Sequence, residues 1–374
     1  MTFNDIIGQQ AVKQHLLQMV HDDRLPHALM LCGQPGVGKL PLALAFARYL
    51  LCPEALAEAP CEQCADCQMS KQWAHPDLHF SFPVYKRKST DQPISDDYLS
   101  EWRAQLQENV YFDVEQWLSD IKAENQQIVH YVSESDSLQK KLALKSSQGG
   151  RRVVVMWLPE RMQPQMANKL LKLIEEPPTQ THFLLVSNDP EMVLGTIQSR
   201  VQRINVPAPS EAEIAEALVQ RQGVEYEKAK ALAHVAQGSY TMALKRLDTE
   251  NEEAMFFELF KSLMRHSYAR KIKEMHAWAQ EVAGMGRERQ KRLLAYCQRL
   301  IRENFIYNFH QPEMSFLTLD EEAFSTRFAP FVNEKNIIGI MDELSDAQRD
   351  IEQNVNARMV FFDLSLKMIM LLKQ

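Results

Sequence analysis

Gly33-Gln34-Pro35-Gly36-Val37-Gly38-Lys39 has the composition and spacing of a phosphate-binding loop. In such a loop, backbone N–H groups at a helix N-terminus cradle a nucleotide's phosphates and the lysine reaches the terminal ones. The next residue must be Ser or Thr if a hydroxyl is to ligate Mg²⁺. Here it is Leu40, which offers no oxygen. Gly33, Gly36, Gly38 and Lys39 therefore predict a cradle without a Mg²⁺ site. Two readings of the retained loop stay open: a weak nucleotide or phosphate site, or only a strand-to-helix turn.

Cys52, Cys61, Cys64 and Cys67 form a C-x8-C-x2-C-x2-C run. Two consecutive C-x2-C steps put thiolates on one small knuckle, and Cys52 can complete a tetrahedron. Four thiolates with no open position predict structural Zn²⁺. Disulfides would need a secretory context, which the N-terminal residues do not suggest; an iron–sulfur cluster also takes four thiolates. Cys32 and Cys297 read as core thiols.

These residues need a scaffold. Ala28 to Cys32 reads as a buried strand before the loop, and Leu40 to Leu51 as the helix after it. Arg151 to Met156 is a second strand of the kind found in the middle of a parallel sheet. A nucleotide hydrolase places an Asp for Mg²⁺ and then a Glu at such a strand's end; Trp157 and Leu158 stand there instead. Met162 to Glu176 reads as an amphipathic helix stopped by Pro177-Pro178, and His182 to Val186 as a third strand. The alternation predicts a doubly wound α/β domain over 1–207. After Pro207-Ala208-Pro209 the pattern is helical throughout.

At 374 residues, with 45% hydrophobic and 24% charged residues, the chain has the composition of a soluble, multidomain globular protein. A formal charge of −7 argues against coating nucleic acid through net charge. The Met359–Leu372 stretch is broken by Asp363 and Lys367 and is too short to span a membrane. A cytoplasmic location without membrane partners is expected.

Several stretches in order carry a resemblance. They are Phe3-Asn4-Asp5-Ile6-Ile7-Gly8-Gln9, Leu25-Pro26-His27-Ala28 before the loop, the cysteine knuckle and His75-Pro76-Asp77. Ala167-Asn168-Lys169-Leu170-Leu171-Lys172 follows, running to Glu175-Glu176-Pro177-Pro178, then Ser199-Arg200, and late in the chain Asn356-Ala357-Arg358 with Phe361 and Leu364. Together they resemble the clamp-loader branch of the AAA+ ATPases, as represented in bacterial DNA polymerase III. The resemblance implies an α/β P-loop (AAA+) domain with a zinc knuckle at 52–67, a helical lid at 208–249 and an all-α collar at 250–374. It also implies a heteropentameric-type ring with delta and the gamma/tau ATPase subunits, acting on a sliding clamp and primed DNA. Ser199-Arg200 matches an element whose arginine enters a neighbour's ATP site, where such a finger is worth about 10³–10⁵ in rate. Val201 stands where that element has Cys.

Departures from a working ATPase are Leu40, the Trp157-Leu158 pair, and Thr241, which stands where active relatives carry a lid arginine. They imply a non-hydrolysing, stator-like subunit. The alternatives are an ATP-hydrolysing motor subunit of a clamp loader or related remodelling complex, and a free-standing zinc-stabilised binding protein. Nothing resembles the paired metal-binding carboxylates of a polymerase site. The resemblance leaves one insertion unexplained, from about 83 to 128. It opens with Lys86-Arg87-Lys88-Ser89-Thr90 and continues with Tyr98, Leu99, Trp102, Leu106, Tyr111, Phe112, Val114, Trp117, Leu118 and Ile121. This spacing predicts the buried face of a helical insertion; a surface for DNA or another holoenzyme component is the other reading.

Overall fold

A computed structural model describes residues 1–88, 90–123, 126–146, 150–309 and 317–373, the side chain of Leu319 aside. Ser89 of the basic stretch and residues 124–125 of the insertion thus lie outside the described residues. Cα packing divides the chain into two units, Met1–Arg246 and Leu247–Gln374. The 208–246 segment groups with the first.

In the first unit, β1 (Ala28–Cys32), β2 (Leu78–Ser81), β3 (Arg152–Trp157), β4 (Thr181–Ser187) and β5 (Gln202–Asn205) form one sheet in the order β2-β3-β4-β1-β5. Every pairing is parallel. The chain leaves β1 for the far edge, returns through β3 and β4, then crosses to β1's other side. Ligands of open α/β sheets sit at such a reversal, beyond the strands' carboxyl ends. The glycine loop occupies that place.

Strand period sorts the core. Leu29, Leu31, Val153, Val155, Trp157, Leu184 and Val186 face one hydrophobic cluster, while Met30, Cys32, Val154, Met156, Phe183 and Leu185 face the other. Side chains alternate because successive Cβ atoms point to opposite faces. Helices α1 (Gln10–His21), α2 (Lys39–Leu51), α3 (Ala65–Lys71), α4 (Leu99–Glu108) and α5 (Val114–Asp120) come next in the chain. Of these, α1, α2, α4 and α5 supply the first cluster. Every residue of α2 is buried, as expected of a helix apolar all round. The second cluster is completed by α6 (Val132–Ala143), α7 (Pro164–Glu175) and α8 (Gly195–Gln198). The unit ends with α9 (Glu211–Gln222), α10 (Tyr226–Ala236) and the start of α11 (Tyr240–Tyr268).

The second unit is helical among the described residues. The rest of α11 joins α12 (Ile272–Ala283), α13 (Arg287–Tyr307), α14 (Leu319–Phe328), α15 (Ile337–Glu352) and α16 (Ala357–Leu371). They share a core containing Phe260, Leu300, Val332, Leu344 and Phe361. Asn356 caps α16, its side-chain oxygen accepting the Arg358 N–H at 3.1 Å. Among the described residues, no helix is long and apolar enough to cross a membrane.

Candidate functional site

The loop Gly33–Lys39 joins β1 to the buried helix α2. Gly36 and Gly38 adopt φ of +80° and +95°, which side chains rarely tolerate. A Cβ on Gly36 would also lie 1.9 Å from Ser239 Oγ. The segment before α11 thus rests directly on the loop, and Tyr240 N–H donates to Gly36 O at 3.1 Å. Gln9 fastens a third segment, donating to Pro207 O at 2.6 Å and Val37 O at 3.3 Å.

Lys39 is 3% exposed and turned onto its own loop. Its ammonium donates to Gly33 O at 2.7 Å and Gln34 O at 2.5 Å. Burial pushes its pKa down to about 8, with the nearby Glu160 opposing the shift. Glu160 lies three residues past Trp157, a carboxylate that motif reasoning missed because it follows the strand end. It accepts from Ser187 Oγ and Asn188 N–H, both at 2.9 Å. Leu40 is buried. The cavity above the loop measures about 30 Å³, and Tyr111, Phe112, Trp157 and Thr241 are among its lining residues. That is room for about one water.

Tyr111 and Phe112 come from the insertion, whose buried face is as the spacing predicts: Tyr98, Trp102, Leu106, Trp117 and Ile121 are all buried. Tyr111 and Phe112, however, sit between α4 and α5 rather than on a helix. Asn109 explains the break. Its Oδ1 accepts the Tyr111 N–H at 2.8 Å and its Nδ2 donates to Tyr111 O at 3.0 Å, a local alternative to helical bonding. Asp113 then caps α5, accepting from Gln116 N at 3.1 Å. Trp102 gathers the insertion onto the sheet, with ring centroids 4.2 Å from Phe82, 5.2 Å from Trp117, 5.5 Å from Phe112 and 5.4 Å from Trp157. Trp157 O accepts the Nε2–H of buried His130 at 2.9 Å, leaving Nδ1 to accept from Ser81 Oγ at 3.2 Å. Burial pushes the His130 pKa down to about 4.

The four cysteines do converge. Their sulfurs lie within 4.8 Å of one another, Cys52 and Cys64 at 4.0 Å and Cys61 and Cys67 at 3.9 Å. A tetrahedron with zinc–sulfur bonds of about 2.3 Å has edges of about 3.8 Å. The residues fit a single zinc ion, and a cluster of several irons would hold the sulfurs further apart. Backbone N–H groups of Cys61, Cys64 and Cys67 point at the sulfurs of Cys52, Cys61 and Cys64, at 3.3, 3.4 and 3.4 Å. Such contacts favour thiolates over thiols. The His75-Pro76-Asp77 stretch ties the knuckle to β2: Asp77 N–H donates to His75 Nδ1, and His75 Nε2 donates to Asp66 Oδ1 on α3, both at 3.0 Å.

Ser199 and Arg200 lie apart from the loop cavity, just past α8, and both are exposed. The Arg200 guanidinium donates to Glu175 Oε1 at the end of α7, to Thr196 O at 2.9 Å and to Ser199 Oγ at 3.2 Å. Val201 is buried in the second cluster of the sheet.

The chain belongs to the DNA polymerase III, delta subunit, family, whose model matches residues 8–210. One relative, the Bacillus subtilis DNA polymerase III subunit delta′, is 28% identical over 227 residues, which are 61% of this chain and 56% of that protein. The Haemophilus influenzae DNA polymerase III subunit tau/gamma is 26% identical over 252 residues, 66% of this chain and 30% of that protein. This chain thus spans about half or less of the length of these relatives. A DNA polymerase III gamma subunit-related protein of Thermotoga maritima aligns with a TM-score of 0.36 at 13% identity, over 97% of this chain and 99% of that one.

Proposed function

We propose that this protein is a non-hydrolysing, stator-like subunit of a DNA polymerase III clamp loader, of the delta-prime kind. Its AAA+-type domain holds a fixed place in a ring with delta and gamma/tau-type subunits, which loads a sliding clamp onto primed DNA. Arg200, supported by Ser199, serves as an arginine finger for the adjacent ATPase subunit. The observation that carries this reading is the state of the chain's own phosphate cradle. Lys39 is spent on loop carbonyls, Leu40 replaces the Mg²⁺ hydroxyl, and Trp157 fills the strand end where a metal-binding acid is required. A site built this way lacks the means to place Mg²⁺ and water around a γ-phosphate.

Arg200 supports the reading by its exposure, since it lies apart from its own loop cavity and is held at the surface by Glu175, a partner that a neighbour's γ-phosphate would replace. Zinc on Cys52, Cys61, Cys64 and Cys67 closes the knuckle and supplies folding energy rather than chemistry. The second helical unit, including α16 with its Asn356 cap, serves as the collar.

Two measurements test this. The purified chain releases no phosphate from Mg²⁺·ATP above background, with or without primed DNA; turnover would make it a motor subunit instead. In a loader reconstituted with Arg200→Ala, the subunits still co-elute, while DNA-stimulated hydrolysis falls by roughly 10³-fold or more. Unchanged turnover would remove Arg200 from the mechanism.

A further inference from the structure

We propose that residues 109–115 of the insertion are an intramolecular occupant of the nucleotide pocket, with Tyr111 as the partition that keeps a nucleotide-sized cavity shut. The proposal rests on the non-hydrolysing reading and goes beyond it, because it assigns the insertion a task and names what the pocket would otherwise hold.

On one side of Tyr111 lies the 30 Å³ cavity above the phosphate loop. On the other lies a cavity of about 410 Å³, which Tyr111 also lines together with Asp5, Leu106, Arg221, Gln222 and Tyr240. Small-molecule sites typically enclose about 300–1,000 Å³. Tyr111, with its neighbour Val110, thus stands between the glycine loop with Lys39 and a space large enough for a sugar and base. The partition is built into both walls. The Tyr111 hydroxyl accepts the buried Ile7 N–H at 3.0 Å. Its ring stands edge-on to Tyr240 at 4.9 Å and would meet a Cβ on Gly38 at 3.3 Å. The Arg221 guanidinium lies 5.8 Å from the Tyr111 ring centroid and 5.9 Å from that of Tyr240.

The far side of the segment is strapped down as well. Lys245, on α11, reaches both Asp113 and Glu115 at 2.6 Å. Residues 109–115 therefore connect the N-terminal segment, the phosphate loop and α11, the three parts that a bound nucleotide would otherwise bridge. Tyr240 and Gln222 both line the larger space, and the buried Tyr240 hydroxyl lies beside the Gln222 amide. The chemistry at the two ends, a phosphate cradle and aromatic faces, is that of a nucleoside diphosphate or triphosphate.

The test titrates the full chain with the fluorescent nucleotide mant-ADP. Wild type shows no saturable binding up to roughly 1 mM, whereas Tyr111→Ala binds at least about tenfold more tightly. Tyr111→Phe, which keeps the ring, stays closed, and adding Lys39→Met to Tyr111→Ala abolishes the gain. Equal binding by wild type and Tyr111→Ala overturns the proposal, as does a folded Tyr111→Ala that gains nothing. Should Tyr111→Ala fail to fold, hydrogen exchange on wild type decides: the Ile7 amide exchanges slowly at a rate that ADP does not change, and ADP-dependent protection there overturns the partition. Nucleotide binding by wild type without phosphate release would remove the partition alone and leave the non-hydrolysing reading in place.

Discussion

The cysteine knuckle and the glycine loop lie close together in the chain, and each has the spacing of a ligand site, yet they end in opposite states. In the knuckle, all four donors point at one another's common centre, with backbone N–H groups behind them. In the loop, the cationic donor has folded back on its own carbonyls, and aromatic rings stand above it. The knuckle takes every donor from one short stretch, so local spacing decides its fate. The loop is completed by segments far away in sequence, from Ile7 to Thr241, and any of them can close it.

The largest expected effect falls on the knuckle. Cys64→Ser should lower zinc content from about one per chain to none and drop the unfolding temperature of the first unit by more than ~10 °C. A wild-type chain without zinc, and a Cys64→Ser variant of unchanged stability, would show that the thiols are held by the fold and not by a metal. Next is the aromatic face over the loop. Trp157→Ala should destabilise by roughly 3–5 kcal/mol in a urea titration, the usual range for a buried Trp whose cavity cannot collapse. A loss under about 1 kcal/mol would mean the rings fill space without holding it.

A slightly smaller effect concerns pH. His130 has a folded-state pKa of about 4, below its ordinary 6.5, because burial disfavours the cation. Between those values the unfolded chain binds more protons, so stability rises with pH. Lowering pH from 6.5 to 4 should remove up to roughly 3 kcal/mol through this group. His130→Asn should flatten that part of the profile, measured as urea midpoints against pH; an unchanged slope would assign the dependence elsewhere. The smallest effect is expected of Leu40→Thr, which restores the missing hydroxyl at roughly 1–3 kcal/mol of stability. It should produce no Mg²⁺-dependent phosphate release, and release would show that one oxygen was all the loop lacked.

Much of this was legible beforehand. The strands β1, β3 and β4 announce themselves as apolar runs because both faces are covered. The edge strands β2 and β5 do not. Strand β5 buries only Ile204 of its four residues, and an edge strand with so little to bury leaves no hydrophobic signature. The insertion's aromatic spacing gave its buried face, but not that Asn109 would break the helix and deliver Tyr111 to the loop. That outcome depends on hydrogen bonds between a side chain and nearby backbone, which periodicity does not encode. The position of Arg200 could be read from its motif. Its partner Glu175 could not, since the two meet only through the packing of α7 and α8.

Trp102, Trp117 and Trp157 have a practical consequence. The Trp102 and Trp117 rings meet at 89° and those of Trp102 and Trp157 at 47°, whereas Trp278 is the second unit's sole indole. Closely spaced chromophores at fixed angles couple their electronic transitions, so the first unit carries its own optical label. Near-ultraviolet circular dichroism of the untagged chain can therefore follow the roof of the glycine loop as it loosens or melts.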